Sequence, residues 1–453
     1  MTVAVPAREA GALRSRRIRF NLFIAFAFTI MADPVSSVAY AVEAALGGLD
    51  RELSSLFPTM ALVVAVIALV AGGYHGLIAR FPRGGGGPEA LATAFGEGWA
   101  FLPLGALLVD FTLTIAVSCA AAASALIAYA PGLAPGRVPI GIALAATVGM
   151  ATLAGHRARI AFATATLAFV GLTLAVVFAG AGAEPAAARP PLAGDAALLP
   201  VLLALPLGMA LATGVEAPSN AIAQLGQLGD RGKRVFGQLT LWLMVAIVGS
   251  LTLLVAALIV RLGLGAPAAD STLLADAARA AVGGGALFAA FQVASALLLL
   301  SAAASSYLAG SGLLEALAWH GSDGEGLLPR RFRVANGAYV PPWGVAVLVG
   351  VAVALVAAAG GHEQSLVHFY AAAVFMSFLG ALLAGTVLSR RERRWSATLV
   401  AGAGTLAVAT VIVLNMRRID PVLSMAAAGA VSLYLWRVWV ARGRPGGIAR
   451  VAA

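Results

Sequence analysis

Long apolar runs recur along the whole sequence, and they constrain the fold more than any other feature. Each run approaches or exceeds the ~20 apolar residues that an α-helix needs to cross a bilayer. Only 11% of the 453 residues are charged, against about 25% in a typical soluble domain, so this chain cannot build a soluble surface. The sequence therefore predicts an all-α polytopic membrane protein with about 12 transmembrane helices. The predicted spans cover residues 20–46, 54–79, 98–128, 137–155, 160–181, 198–224, 235–261, 283–318, 342–360, 364–389, 396–416 and 420–440.

The basic residues predict the orientation of these spans. With the N-terminus inside, 23 of the 30 Lys and Arg residues fall on the inner side and seven fall outside. Basic residues accumulate in cytoplasmic loops, so we predict a multi-pass protein of the cell membrane with both termini cytoplasmic. The net charge of +10 then marks the inner loops and the basic tails at 1–19 and 441–453, and no nucleic-acid partner is expected. The first apolar run lacks a small-residue cleavage pattern and is predicted to be retained.

Two predicted spans, the first and the sixth, are interrupted in the same way. Asp33-Pro34 lies in the middle of the first span, and Thr213-Gly214 with Glu216 and Pro218 interrupts the sixth. Proline removes a backbone donor and clashes with the preceding turn. Interrupted helices at matching positions of two halves are typical of inverted-repeat transporters, whose binding site lies at the interruptions. Two proline kinks tolerated by neighbouring helices are the alternative, but kinks alone do not account for a carboxylate beside each interruption.

Acidic residues lie inside the predicted spans without basic partners. They are Asp33, Glu43, Asp110 and Glu216, and no Lys or Arg is predicted near the middle of a span. A buried carboxylate is costly unless it is paired, hydrated or protonated. We therefore expect the partner of these acids to be a bound cation or a proton. For Asp110 alone, a permanently protonated structural role is equally open.

The third span adds hydroxyl groups on one helix face. Asp110, Thr114 and Ser118 are spaced by four residues, so they lie on the same side of the helix. Together with Asp33, Tyr40 and Thr213 they offer oxygen atoms only. Oxygen donors without thiol or imidazole favour a hard or alkali cation.

Four motifs in these regions resemble the amino acid–polyamine–organocation (APC) superfamily, and most closely its KimA-type branch of KUP potassium/proton symporters. The resemblance covers spans 1 to 10 and is carried by Asp33–Tyr40, Phe81–Gly87, Leu107–Ser118 and Ala212–Asn220. It implies a LeuT-like fold, in which residues 20–181 and 198–389 form a five-plus-five inverted repeat. Residues 396–440 would then form two accessory spans.

The resemblance also implies roles for individual residues. Substrate or ion contacts are expected at Asp33, Tyr40, Thr114, Ser118, Thr213, Gly214 and Tyr370, with Asp33, Thr114 and Ser118 as candidate potassium ligands. Asp110 and Glu216 match acids associated with ion passage or proton coupling. The implied function is secondary active transport, with proton-coupled potassium import by alternating access as the first hypothesis.

Departures from the family pattern leave the substrate open. Phe111 stands where the potassium branch tends to have tyrosine, and Pro34 follows Asp33 where that branch has another residue. The second hypothesis is a proton-coupled amino acid or amine permease, because Gly214 and Val215 offer backbone amides at the sixth-span interruption. An anionic Asp-Pro in the first span argues against a free carboxylate substrate, while an amine could pair with Asp33.

An enzyme is not expected from this sequence. It contains no His-Glu-x-x-His metal motif and no Gly-x-Ser-x-Gly elbow. The single cysteine, Cys119, lies in an apolar stretch, and His75 and His368 are far apart in the sequence. We therefore expect no cofactor. The expected partners are the ion or small-molecule substrate, protons and the lipid bilayer, and a homodimer stays open.

Overall fold

The computed structural model describes residues 21–155, 159–184, 198–319 and 326–448, and these residues fold mainly into α-helices joined by short turns. The helices are Asn21–Ile30 (α1), Ala32–Ser36 (α2), Val38–Gly48 (α3), Leu56–Arg80 (α4), Gly86–Phe95 (α5), Phe101–Tyr129 (α6), Arg137–Thr152 (α7), Arg159–Gly180 (α8), Leu198–Gly208 (α9), Ala217–Ala221 (α10), Asp230–Leu262 (α11), Leu273–Val282 (α12), Ala286–Trp319 (α13), Pro342–Ala358 (α14), Glu363–Arg391 (α15), Trp395–Asn415 (α16) and Ile419–Ala441 (α17).

Ten helical segments in the described part of the chain are long and apolar enough to cross a membrane. This confirms the predicted all-α polytopic membrane protein. The other two predicted spans correspond to shorter apolar helices. The first is divided into α1, α2 and α3, and the ninth is the 17-residue α14. The count of twelve crossings, the inverted repeat and the accessory pair stay predictions, and the basic tail at 1–19 lies outside the described residues.

Two helices fall between the predicted spans. The 10-residue helix α5 follows the glycine-rich turn after α4, and the 10-residue helix α12 precedes α13. Both are too short to cross a membrane. The Thr272 side chain starts α12 by accepting a hydrogen bond from the Ala275 amide at 3.2 Å. In the tertiary structure α5 packs against α15, and α12 packs against α3 and α8.

Helix α6 lies at the centre of the structure. It packs against α13, α15 and α17, and its consecutive alanines at 120–123 are all buried. Small side chains allow neighbouring helices to approach closely in a membrane, where packing drives their association. The position of α6 therefore places the predicted stripe of Asp110, Thr114 and Ser118 inside the protein, where all three residues are buried.

Candidate functional site

The interruption of the first span is a kink in a chain that stays locally helical. Met31 and Ser37, which separate the three helical pieces, keep right-handed helical dihedral angles. Pro34 lacks an N–H group, so one carbonyl of the preceding turn loses its usual donor. The Ser36 and Ser37 hydroxyls donate to the carbonyls of Asp33 and Pro34 at 2.7 and 2.6 Å. These two hydroxyls are therefore engaged by backbone carbonyls of the kinked segment, and Asp33 is its charged side chain.

The sixth span is unwound instead. After α9, a 3-10 turn covers Met209–Ala212, and Thr213 then adopts an extended conformation with φ −58° and ψ 142°. Gly214 has φ +75°, a left-handed conformation that glycine adopts without steric penalty. Helix α10 resumes at Ala217, with a proline in its first turn, where a missing N–H costs no intrahelical bond.

The two interruptions lie against each other. A Cβ atom on Gly214 would come within 2.7 Å of Pro34 Cδ and 3.2 Å of Asp33 Oδ2. The Ser37 hydroxyl donates to the Leu211 carbonyl at 3.4 Å. Glycine is thus required at position 214 for two reasons, which are the positive φ and the close approach of the first span. The fold brings together two segments that are about 180 residues apart in the chain.

Three acidic side chains converge on this contact. Asp110 and Glu216 are buried and Asp33 is partly buried, and the three carboxyl groups are close enough for their charges to interact. Within the described residues, no basic side chain forms an ion pair with any of them. The Oδ1 atoms of Asp33 and Asp110 are buried and have no hydrogen-bond partner in the described part of the chain. This group is named the central acids below.

Glu216 differs from the other two central acids because its carboxylate has partners. Its Oε2 atom accepts hydrogen bonds from the Tyr74 hydroxyl on α4 at 3.1 Å and from the Ser377 hydroxyl on α15 at 2.8 Å. The Ser219 hydroxyl donates to the Glu216 backbone carbonyl at 2.6 Å. Sequence analysis missed Tyr74 and Ser377, because a lone hydroxyl in an apolar span more often bonds its own helix.

The remaining predicted site residues are placed as follows. Tyr40, Thr114, Ser118 and Thr213 are all buried. The Ser118 hydroxyl has no hydrogen-bond partner among the described residues, whereas Thr213 donates to the Ala210 carbonyl at 3.3 Å. Tyr370 belongs to α15, but its side chain lies outside the described residues, so its predicted role is untested.

Comparison with known proteins identifies the family. A family model described as "Amino acid permease" matches residues 20–440. The chain belongs to the amino acid permease family. It is also similar to the potassium transporter KimA of Bacillus subtilis (strain 168), with 28% identity over 367 residues, which are 77% of this chain and 58% of that relative. The permease therefore matches little more than half the length of this curated relative. The matched family and the similar protein are both described as transporters.

A second charged group of this permease consists of Glu43, Ser124, Arg137 and Glu363. Its member in the first span, Glu43, lies nearer the end of that span than Asp33 does. Arg137, the first residue of α7, is only 7% exposed. Its Nη1 atom donates to the Ser124 hydroxyl at 2.6 Å, and that hydroxyl donates to Glu363 Oε2 at 2.5 Å. Glu43 Oε2 accepts from the Leu273 amide at 2.8 Å. The carboxyl groups of Glu43 and Glu363 both interact electrostatically with Arg137 and with each other.

This second group bears on one expectation. Glu43 was expected to have a cation or proton as its partner, because no basic residue was predicted near it in the spans. Arg137, which the sequence places at the edge of the fourth span, interacts electrostatically with Glu43 but forms no ion pair with it in the described residues, so the expectation stays a prediction. Glu363 was missed because the predicted tenth span begins one residue later. Burial of Arg137 is a tertiary property that a linear hydropathy pattern does not report.

Proposed function

We propose that this permease is a proton-coupled cation importer with potassium as its cation, working by alternating access. One observation carries the proposal. The carboxyl groups of Asp33, Asp110 and Glu216 lie within electrostatic reach of one another, and the described residues offer them no basic partner. Three acids inside a membrane protein need cations or protons to balance their charge. The similarity to a potassium transporter supports potassium as the cation.

Asp33 is the proposed charged ligand of the cation. Its Oδ1 atom and the Ser118 hydroxyl are buried polar atoms without a hydrogen-bond partner in the described ranges, and unpaired buried oxygens are costly unless a ligand uses them. Tyr40, Thr114 and Thr213 supply further oxygen atoms in this proposal. An oxygen-only set with one formal charge suits a monovalent cation that exchanges its hydration shell for protein oxygens.

Glu216 and Asp110 are the proposed proton carriers. The Glu216 carboxylate already accepts hydrogen bonds from Tyr74 and Ser377 on one oxygen, so it is held in place without a cation. Asp110 precedes Thr114 by about one helical turn and interacts electrostatically with Asp33 and Glu216. Proton binding to either acid would change the net charge felt at Asp33, which links proton and cation occupancy.

A proton-coupled amino acid or amine permease is the alternative function. The family model is described by amino acid transport, and the unwound residues after Ala212 resemble a segment that could offer amides to a carboxylate. Two contacts weigh against a carboxylate here. The Val215 amide already donates to the Ala212 carbonyl at 3.3 Å, and Gly214 lies directly against Pro34. An organic amine paired with Asp33 fits the charges better than an amino acid.

Rubidium uptake distinguishes these functions. Purified permease in liposomes would be given an inward proton gradient and rubidium-86, with potassium, an amino acid mixture or an amine mixture as competitors. We expect saturable uptake that potassium blocks and the amino acids and amines do not. An ionophore that collapses the proton gradient should remove most of the accumulation, which controls for leak.

The opposite result is equally informative. Suppose rubidium does not accumulate, and an amine or an amino acid triggers proton influx in the same vesicles. The cation proposal would then be wrong, and Asp33 would be the partner of an ammonium group or a proton carrier.

A further inference from the structure

The second charged group, which consists of Glu43, Ser124, Arg137 and Glu363, has no part in the proposed cation site. Its members come from two sets of elements. Ser124, Arg137 and Glu363 belong to α6, α7 and α15, while Glu43 belongs to α3. Helix α3 packs against α12, and Glu43 accepts a hydrogen bond from the Leu273 amide of α12.

Arg137 donates hydrogen bonds to both sets. Its Nη1 atom reaches the Ser124 hydroxyl on α6, and its Nη2 atom reaches the Ala269 carbonyl in the loop before α12, each at 2.6 Å. Through Ser124 the arginine is linked to Glu363 at the start of α15. A guanidinium presents its donors in a fixed fork, so one side chain can connect two groups of helices in a defined geometry.

The charge of Arg137 lies close enough to two acids to influence both of them. Glu43 and Glu363 interact electrostatically with each other and with the arginine, and Asp276 on α12 adds a further negative charge near Glu43. Arg137 connects these elements by its hydrogen bonds to Ser124 and to the Ala269 carbonyl.

The group lies beside a small cavity that reaches the candidate site. This cavity has a volume of about 20 Å³ and is lined by Tyr40, Ala121, Gln292 and Glu363, among others, which is enough for about one water molecule. Along α6, Ser124 lies one turn beyond Ala121 toward the end that the positive-inside count places outside. On that orientation, the contacts of Ser124 with Arg137 and Glu363 lie on the outer side of Ala121, which lines the cavity together with Tyr40.

We propose that Arg137, through Ser124 and Glu363, is the latch that closes this permease toward the outside, and that releasing it exposes the path to Tyr40. The inference depends on membership of a transporter family and on the predicted orientation, which places the end of α6 outside. It does not depend on the proposed cation, because the closed state can be probed without substrate.

Cysteine accessibility tests the latch. Cys119 is the single cysteine and is buried, so Cys119→Ala gives a background without thiols. Ala121→Cys then places one thiol in the cavity next to Tyr40. A membrane-impermeant thiol reagent would be added from the outside of oriented vesicles, without substrate. We expect slow labelling in this background and faster labelling when Arg137→Gln is added, by roughly 5- to 150-fold as in typical two-state coupling.

A matched arginine provides the control. Arg279 donates to the Ala128 carbonyl at 2.5 Å, also on α6, and stacks on Phe288. It makes no hydrogen bond to Ser124 or Glu363 in the described residues, so Arg279→Gln should leave the labelling rate unchanged. Equal increases for both arginine variants would overturn the latch, because they would indicate general loosening.

Two further variants keep the test decisive if Arg137→Gln folds poorly. Ser124→Ala keeps every charge but removes the bridging hydroxyl, and it should raise labelling by a smaller factor. Arg137→Gln combined with Glu363→Gln removes both ends of the bridge through Ser124, and it should label no faster than Arg137→Gln alone. The proposal is wrong if neither variant changes the rate, or if the thiol is reached from the inside only.

Discussion

The two interrupted spans look alike in the sequence but are built differently. Each has an acid and a proline within a few residues. The first stays locally right-handed, so Asp33 is carried by a helical segment. The sixth is unwound, with an extended Thr213 and a left-handed Gly214. A missing N–H donor bends a helix without ending it. A residue in the left-handed conformation ends the helix, because it turns the following peptide groups away from the helix axis.

The acids of the two spans differ as well. Asp33 Oδ1 has no hydrogen-bond partner in the described structure, while Glu216 accepts two hydroxyl donors from neighbouring spans. The kinked span therefore offers an unsatisfied carboxylate, and the unwound span holds a satisfied one. This difference is the physical basis for assigning the cation to Asp33 and a proton to Glu216 in the proposed function.

The largest expected effect is that of Asp33→Asn. It removes the charge that would balance a bound cation while keeping the shape of the side chain. Losing one partner of a buried charge pair costs about 2–5 kcal/mol, so rubidium uptake at a fixed low concentration should fall by at least about 30-fold. The exposed Asp50 has a left-handed φ of +48°, which asparagine tolerates, so Asp50→Asn is the matched control. Uptake by Asp33→Asn at the level of this control would remove Asp33 from the site.

Glu216→Gln should have the next largest effect and a different one. Glutamine cannot carry a proton across the membrane, so uptake should lose its response to an inward proton gradient. A gradient of one pH unit is worth about tenfold in accumulation per proton, and this is the factor expected to disappear. Uptake would be measured with and without the gradient, next to Glu52→Gln at an exposed loop position. An unaltered response would take Glu216 out of the proton path and weaken the contrast between the two spans.

Gly214→Ala should mainly lower stability. A left-handed conformation costs a non-glycine residue about 1–2 kcal/mol, and the new methyl group would meet Pro34 at 2.7 Å. The melting temperature of the purified permease should therefore drop. Gly284→Ala is the control, since a methyl group at that glycine would meet open space and its φ is not positive. Equal melting temperatures for the two variants would mean that the contact between the interrupted spans is looser than described.

The smallest expected effect is that of Pro34→Ala. The residues flanking the short helix α2 already have right-handed helical angles, so alanine fits the kinked span without strain. We expect a change in folding free energy of about 1 kcal/mol or less, measured as a small shift in melting temperature, with most rubidium uptake retained. A loss as large as that of Gly214→Ala would show that the two interruptions depend on their prolines and glycines to the same degree.

Much of the fold was predictable because the bilayer imposes a simple rule on the sequence. A spanning helix must be apolar over about 20 residues, so the apolar runs predict the positions of the long helices within a few residues. The short helices α5 and α12 were not predictable in this way. They do not cross a membrane, and the contacts of α5 with α15 and of α12 with α3 that fix them are made only in the folded chain.

The candidate site was predictable where the sequence itself carries an anomaly. Asp33-Pro34, Thr213-Gly214 and the four-residue spacing of Asp110 and Thr114 are visible because polar residues in apolar runs are rare. Tyr74 and Ser377 are single hydroxyls in otherwise ordinary spans, and nothing in the sequence links them to Glu216. Arg137 is the first residue of a predicted span, and its position in the sequence gives no sign that it is buried.

The sequence alone determined that the chain is a helical membrane protein, which spans are interrupted, and which acids have no basic neighbour along their own helix. These properties are local, since they depend on composition and spacing within about 20 residues. Only the tertiary structure decided that the two interruptions touch and that two hydroxyls hold Glu216 while Asp33 Oδ1 has no partner among the described residues. It also decided that the buried Arg137 is linked through Ser124 to Glu363. The reason is that a hydrogen bond or an ion pair depends on distances of a few ångströms between spans, and those distances are set by how the helices pack.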